Sequence, residues 1–382
     1  MFSKNRINPT ILEVNLSALV SNFNYFRSIL NPSTRIICVV KANAYGMGAY
    51  RLSKTLQNNG VSALAVAYIG EGIFLREKGI YLPIFVMNVE KYSLHEIFKY
   101  NLSPCIYDKN ILDLIIIEAR KQNILNYPIH LKIDTGMHRL GFCSECIPSL
   151  INILKNQNNV FVQSVFSHLA ATNNPIFDDF TNKQIKLFIC LSKQLEQSLQ
   201  YSFQRHILNS VGIERFPNAQ FDMVRLGIGL YGIYTTTLCK KIAEKTKYSI
   251  KPVAVLKARI LQIKKLKKGE TVGYNCNGVL NRNSYIACIS IGYADGLNRR
   301  FSNQCGSVFI HGHSCHIIGD ICMDTCMVDI TDIKNIEVME GDEVEIFGEN
   351  IMIESLAKKL QTVPYEVLTS VSNTVKRVYV EN

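Results

Sequence analysis

From residue 35 to about 230 the chain alternates short apolar runs with longer amphipathic stretches. The apolar runs are RIICVVK (35–41), SALAVA (62–67), PIFVM (83–87), SPCIY (103–107), IHLKID (129–134), VQSVFSH (162–168), RHILN (205–209) and DMVRLG (222–227). They read as continuously apolar rather than alternating, the pattern of strands buried on both faces. Between them lie helix candidates such as AYRLSKTLQNN, EGIFLREKG, KYSLHEIFKY, NILDLIIIEARKQ and FTNKQIKLFICLSKQLEQSLQ, with Gly60, Gly79, Pro83 and Pro128 punctuating the joins. Eight β-units in strict alternation with helices predict a closed parallel barrel.

After about Tyr234 the pattern changes. Residues 253–263, 271–280, 285–292, 307–311, 315–319 and 326–330 are short β-rich runs joined by Gly, Asn and Lys turns, with one helical stretch near 353–361. They predict a second, mostly antiparallel β domain, and the N-terminal run TILEVNL is expected to pack with it. The expected fold class is therefore α/β, with a (β/α)8 TIM barrel over residues 1–238 and a β-rich domain over 239–382. A length of 382 residues suits two such units.

Composition narrows the class. Apolar residues make up 47% of the chain, but no run is long and uncharged enough for a membrane span. The N-terminus has basic residues without an apolar leader core, so a cytoplasmic protein is expected. Most of the 12 cysteines sit inside apolar runs, such as Cys38 and Cys288, where a thiol behaves as a small hydrophobe. Cys143 and Cys146 form a lone CxxC with no second pair, which disfavours zinc. His311, His313, Cys315 and His316 flank a glycine between two β-rich runs and read as a hairpin tip rather than a metal site. The net charge of +11 is scattered, and the cluster at Lys264–Lys268 lacks aromatic interleaving, so nucleic-acid binding is not expected. A positive field does favour an anionic ligand.

Parallel barrels carry their chemistry at the C-terminal strand ends, and here those ends are unusually polar. The first run ends in Lys41, followed by Ala42-Asn43-Ala44-Tyr45-Gly46. The fifth passes through Lys132 and Asp134 to Arg139; the sixth ends in His168, the seventh in Asn209-Ser210, and the eighth carries Arg225 before Gly227 and Gly229. A lysine closing an apolar strand is desolvated toward its neutral, nucleophilic form, although a rim lysine reaching solvent has the same signature. Ser210, Gly212, Gly227 and Gly229 match either a phosphate cradle built by the last two loops or simple tight turns.

These strand ends belong to a longer series of motifs. VVKANAYGMG, KIDTGMHRLGF, SVFSHLA, ILNSVGI, DMVRLGIGLYG, TVGYN, IGYADG and GDICMDTCMVDI occur in that order, and together they resemble the alanine racemases over residues 10–379. The resemblance implies a pyridoxal 5'-phosphate enzyme working as a head-to-tail homodimer on a small amino acid. It implies that Lys41 holds the cofactor as a Schiff base and is one of two catalytic bases. Tyr274 would be the other, reaching the partner subunit's site to serve the opposite face of the α-carbon. His168 would help the phenol ionise. Arg225 would face the pyridine nitrogen and, being unable to release its proton, keep that nitrogen unprotonated. Tyr45, Ser210, Gly227 and Ile228 would hold the phosphate beside Asn209. Arg139 would lie near the cofactor's phenolic oxygen and the substrate carboxylate, with Lys132 carbamylated as its anionic partner. From the second subunit, Tyr293 and the backbone of Met323 would contact the carboxylate.

Three positions depart from the family pattern. Asp320 stands where a basic residue is usual, Asn173 where an acid is frequent, and Asn373 where some members place a tyrosine over the phosphate and substrate side chain. The first two are expected to redistribute charge in one entry corridor, and Asn373 to admit a hydroxylated substrate. The implied function is interconversion of L- and D-alanine, supplying D-alanine for peptidoglycan. The alternatives are racemisation of another small amino acid such as serine, or decarboxylation on a related barrel, which Arg225 disfavours. A non-catalytic cofactor carrier would lack the second domain.

Overall fold

The computed structural model describes residues 9–234 and 250–381. Strand β1 (Ile11–Asn15) precedes the barrel, whose strands are β2 (Arg35–Val39), β3 (Ala63–Val66), β4 (Ile84–Val86), β5 (Ser103–Ile106), β6 (Tyr127–Lys132), β7 (Val160–Phe166), β8 (Gln204–His206) and β9 (Met223–Leu226). They form one sheet in the order β8-β7-β6-β5-β4-β3-β2-β9, every pairing parallel. Closure between β8 and β9 comes from Asp222 N donating to Arg205 O at 3.1 Å and Arg225 N to Leu208 O at 3.0 Å. Strands β3, β4, β5 and β9 are buried along their whole length, as their unbroken apolar runs require.

The outer helices follow the amphipathic stretches. Lys109–Lys121 buries Ile111, Leu112, Ile115, Ile116 and Ala119, one stripe at helical spacing, and starts where the Asp108 side chain accepts from Ile111 N at 2.8 Å. The long helix Asp178–Leu199 similarly buries Gln184, Phe188, Leu191 and Leu195.

The second unit is a mostly antiparallel sheet. Its strands are β10 (Ala254–Leu266), β11 (Thr271–Val272), β12 (Gly278–Val279), β13 (Ser284–Ile289), β14 (Ser307–Ile310), β15 (His313–Ile318), β16 (Cys326–Asp329), β17 (Glu343–Phe347) and β18 (Lys376–Val380). Its main sheet runs β13-β16-β15-β14-β17-β10-β1-β18. The N-terminal run thus joins this sheet as expected, antiparallel to β10 and parallel to β18. The hairpin tip is also as read: β14 and β15 pair Ile310 with His313 across His311 and Gly312, both at positive φ (46° and 84°). The expected boundary at 238/239 lies outside the described residues.

The C-terminal segment is clamped onto the barrel mouth. Arg377 Nε donates to Gly46 O at 2.9 Å and the Tyr379 hydroxyl to Met47 O at 3.1 Å. A Cβ at Gly46 would lie 2.9 Å from Leu368 O, so the approach requires glycine.

Candidate active site

A cavity of about 440 Å³ opens at the C-terminal mouth of the barrel, within the size range of small-ligand sites. It collects nearly all the polar strand ends: Lys41, Tyr45, Lys132, Arg139, His168, Asn209, Ser210, Arg225, Gly227 and Ile228. Four of these are cations, Lys41, Lys132, Arg139 and Arg225, and no carboxylate lines the cavity among the described residues. Such a site fits an anionic occupant.

Lys41 lies two residues beyond β2 and opens the helical turn Lys41–Tyr45, which is wound left-handed. Ala42, Asn43, Ala44 and Tyr45 all have φ of 52–53°, a conformation costing roughly 1–2 kcal/mol per non-glycine residue. Its bonds offset that strain. Ala42 N donates to Glu71 Oε1 at 2.6 Å, Gly48 N to Asn43 O at 2.8 Å and Ala49 N to Asn43 Oδ1 at 2.8 Å. Burial, with Arg139 nearby, lowers the Lys41 amine below its usual range, against a smaller opposing pull from Glu71. The turn also swings Tyr45 inward, to 4.4 Å between ring centroids with Tyr231 and 5.8 Å with Tyr365.

Ser210 begins the short helix Ser210–Arg215, and its hydroxyl oxygen accepts from Gly227 N at 2.9 Å and Gly229 N at 3.2 Å. Asn209 caps that helix by accepting from Gly212 N at 2.9 Å. A Cβ at Gly227 would sit 3.0 Å from the Tyr45 hydroxyl. The last two barrel loops therefore bring a hydroxyl, a phenol and closely approached backbone to one spot, a cradle suited to phosphate.

Arg225 is 4% exposed and held from several sides. It donates to the carbonyls of Ser167 at 2.6 Å and Ile207 at 3.0 Å, and Nη1 lies 2.7 Å from His206 Nδ1. Its Nη2 lies 3.3 Å from His168 Nδ1, and its guanidinium 5.2 Å from the Phe166 ring centre. Burial lowers it to about 10, which leaves it protonated at neutral pH. Burial and then Arg225 depress His168 and His206 well below 6.5, so both are neutral. Burial, then Arg139 and Arg225, bring Lys132 down to about 8.

Arg139 is carried by a turn that Asp134 organises, its Oδ1 accepting from Gly136 N at 2.9 Å and from Met137 N and His138 N at 3.1 Å. Met87, Asn88, Leu140, Phe166 and Tyr365 also line the cavity and were not picked out in the sequence. Tyr365 arrives on the helix Pro364–Thr369 of the second domain, far from any barrel motif.

Tyr274, Tyr293 and Met323 lie outside this cavity. Tyr274 and Met323, 65% and 54% exposed, line an open groove of about 760 Å³ on the β domain. Tyr293 is tied beside them by its N–H to Cys322 O at 3.0 Å. Asn373 is exposed and does not line the Lys41 cavity, contrary to the expectation from its motif position. Asn173 is exposed on the loop after β7, whereas Asp320 is buried and takes its partners from the β domain, so the charge link expected between them is not formed within the chain. Cys143 and Cys146 are joined through their sulfurs.

Comparisons with known proteins place the whole chain in one family. The alanine racemase N-terminal domain family model matches residues 14–235, and the C-terminal domain model matches residues 253–379. Alanine racemase 2 of Caldanaerobacter subterraneus subsp. tengcongensis is 36% identical, covering 98% of this chain and 95% of its own length. Alanine racemase 1 of Clostridium acetobutylicum is also 36% identical, with 98% and 96% covered. Among solved structures, the alanine racemase of Clostridium difficile 630 superposes with a TM-score of 0.91 at 34% identity, covering 99% of this chain and 97% of that one. The Bartonella henselae alanine racemase, described with covalently bound pyridoxal phosphate, gives 0.86 at 29% identity over 97% and 99%. Both halves of the fold are matched by one family, and the chain belongs to the alanine racemases.

Proposed function

We propose that the chain interconverts L- and D-alanine with pyridoxal 5'-phosphate, providing D-alanine for peptidoglycan. The observation that carries this reading is the Lys41 cavity, where a desolvated amine, a cradle at Ser210–Gly227 and a locked Arg225 converge with the basic side chains of Lys132 and Arg139. The donor set fits the cofactor: a cradle for its phosphate, an amine for its aldehyde and a permanent cation for its ring nitrogen. When bound, the cofactor supplies the conjugated system that acidifies the substrate's α C–H.

The protein's own residues do the rest. Tyr45, Ser210, Gly227 and Ile228 bind the phosphate, with Asn209 fixing the helix start beneath them. Lys41 anchors the cofactor and moves a proton at one face of the α-carbon. Arg225 donates hydrogen bonds only, so a ring nitrogen facing it stays unprotonated, which restrains electron withdrawal and favours simple proton exchange. His168, neutral beside Arg225, helps the opposite-face phenol ionise. Arg139 receives the substrate carboxylate, and Lys132, with its lowered amine, is placed to become the carbamylated counter-anion of Arg139.

Lys41 serves one face of the α-carbon, and the β domain displays Tyr274 on an exposed face. Two copies packed head to tail would bring the partner subunit's Tyr274 to the free face of the α-carbon, with the partner's Tyr293 and the partner's Met323 at the carboxylate. The groove beside Tyr274 is partly apolar, through Val272, Ile286, Met323 and Met327, as a homodimer contact requires. A cytoplasmic site fits the nine free cysteines among the described residues, three of them exposed, which outnumber the single joined pair Cys143–Cys146. No helix among these residues is long and apolar enough to cross a membrane.

The test is turnover of L-alanine by cofactor-loaded protein, with L-serine in parallel. The reading predicts D-alanine as the main product and little serine turnover, since Asn373 brings no amide into the cavity. Carbon dioxide release in place of D-alanine would make the chain a decarboxylase.

A further inference from the structure

Asp320, the acid standing where the family pattern has a base, is 8% exposed yet forms a hub. Its Oδ2 accepts from Asn277 Nδ2 at 3.0 Å and Arg299 Nη2 at 3.1 Å, and its Oδ1 from Asn303 Nδ2 at 3.2 Å. Asn277 ends the turn that carries Tyr274, its N–H donating to Tyr274 O at 3.3 Å. That turn holds Asn275 and Cys276 at φ of 56° and 54°, so it needs external support. The backbone around Asp320 supplies part of it: a Cβ at Gly273 would lie 3.3 Å from Asp320 N, and one at Gly278 would lie 2.8 Å from Gly319 N. Just beyond Asp320, Cys322 O and Met323 O accept from Tyr293 N and Ala294 N, each at 3.0 Å.

We infer that Asp320 is a positioning residue for Tyr274, pinning its turn through Asn277 while Arg299 and Asn303 fix Asp320 itself. The inference rests on the reading that Tyr274 is the second base. An arginine at this position would repel Arg299 and offer no acceptor to Asn277, so the reversed charge builds a support within the chain. Displacing a proton-transferring group by about 1 Å costs on the order of 100-fold in rate. The effect should fall on the face Tyr274 serves and spare the one Lys41 serves.

The experiment measures α-proton exchange with deuterated water from L-alanine and, separately, from D-alanine, using cofactor-loaded dimer. Asp320→Ala is expected to lower exchange from L-alanine at least ~10-fold and from D-alanine less than ~3-fold. Asn277→Ala should shift the same ratio, and the double variant should shift it no further. Asp320→Asn, which preserves shape and one acceptor oxygen, should lie nearer the unaltered protein. Retained D-alanine exchange shows that a variant is folded and loaded. Tyr274→Phe separates the two claims. If it produces the asymmetry and Asp320→Ala lowers both exchanges equally or neither, the positioning role is wrong. An unchanged ratio in Asn277→Ala overturns the route through that side chain. If Tyr274→Phe itself produces no asymmetry, the second-base reading fails and this inference with it.

Discussion

Arg225 Nη1 lies 2.7 Å from His206 Nδ1, and this contact sets the protons along a chain through the barrel core. A guanidinium can only donate, so Nδ1 must accept and the His206 proton sits on Nε2. That N–H donates to Ser164 Oγ at 3.2 Å, and the Ser164 hydroxyl donates to His130 Nδ1 at 2.7 Å. The chain ends at His130, whose ring packs 3.9 Å from Phe85 and whose Nε2 has no hydrogen-bond partner among the described residues. Arg225 is thereby held in part by a chain of His206, Ser164 and His130, none of which lines the cavity.

His206→Phe keeps a ring against Phe166, which stacks on His206 at 4.9 Å, but removes the acceptor. A buried guanidinium donor then goes unpaired, and the protein should lose about 1–3 kcal/mol of stability in urea unfolding. A variant as stable as the parent would show that the contact does not hold Arg225.

The same histidines predict an acid sensitivity. Burial holds His130 at about 3, and His168 and His206 well below 6.5, so each binds its proton less readily folded than unfolded. As pH falls below the unfolded value of about 6.5, the unfolded chain takes up protons that the folded one refuses. Stability should fall by about 1.4 kcal/mol per pH unit for each histidine, continuing downward until each folded-state value is reached. Denaturant titrations at pH 7, 6 and 5 measure the slope, and a flat profile would contradict neutral burial.

Ser210→Ala removes the acceptor that gathers the Gly227 and Gly229 N–H groups. Losing about 1–2 kcal/mol of cradle interaction should weaken cofactor binding roughly 5–30-fold. Gly227→Ala should weaken it as well, by crowding the Tyr45 hydroxyl. Fluorescence titration of cofactor into apo-protein reads both.

Met323→Glu places a charge in the exposed groove beside Tyr274. If two copies pair as proposed, it should raise their dissociation constant at least ~10-fold and make specific activity fall on dilution. Sedimentation at several concentrations tests this, and an unaltered dimer would place the interface elsewhere.

Legibility in the sequence followed the physics of each element. The barrel strands are readable because burial on both faces demands unbroken apolar runs, and their polar ends lead to most of the polar lining of the Lys41 cavity. The left-handed turn Ala42–Tyr45 is not readable, because alanine favours the right-handed helix and the alternative is held by local bonds to Asn43 together with contacts from distant Glu71 and Arg377. Tyr365 was missed for a related reason: it enters the cavity from a distant domain whose strands β17 and β18 also went unrecognised. Motif position misplaced Asn373, since a matching register does not fix which way a turn residue faces. Asp320 stood out as a departure, but its role as an acceptor hub depends on three side chains scattered over residues 277–303.

Attachment of the cofactor to Lys41 underlies every role proposed for the cavity, and borohydride reduction of the loaded protein followed by peptide mapping reads it out. A single cofactor-labelled peptide containing Lys41, lost in Lys41→Ala, is the expected result. Label on Lys132 or any other lysine, with Lys41 unmodified, would contradict it.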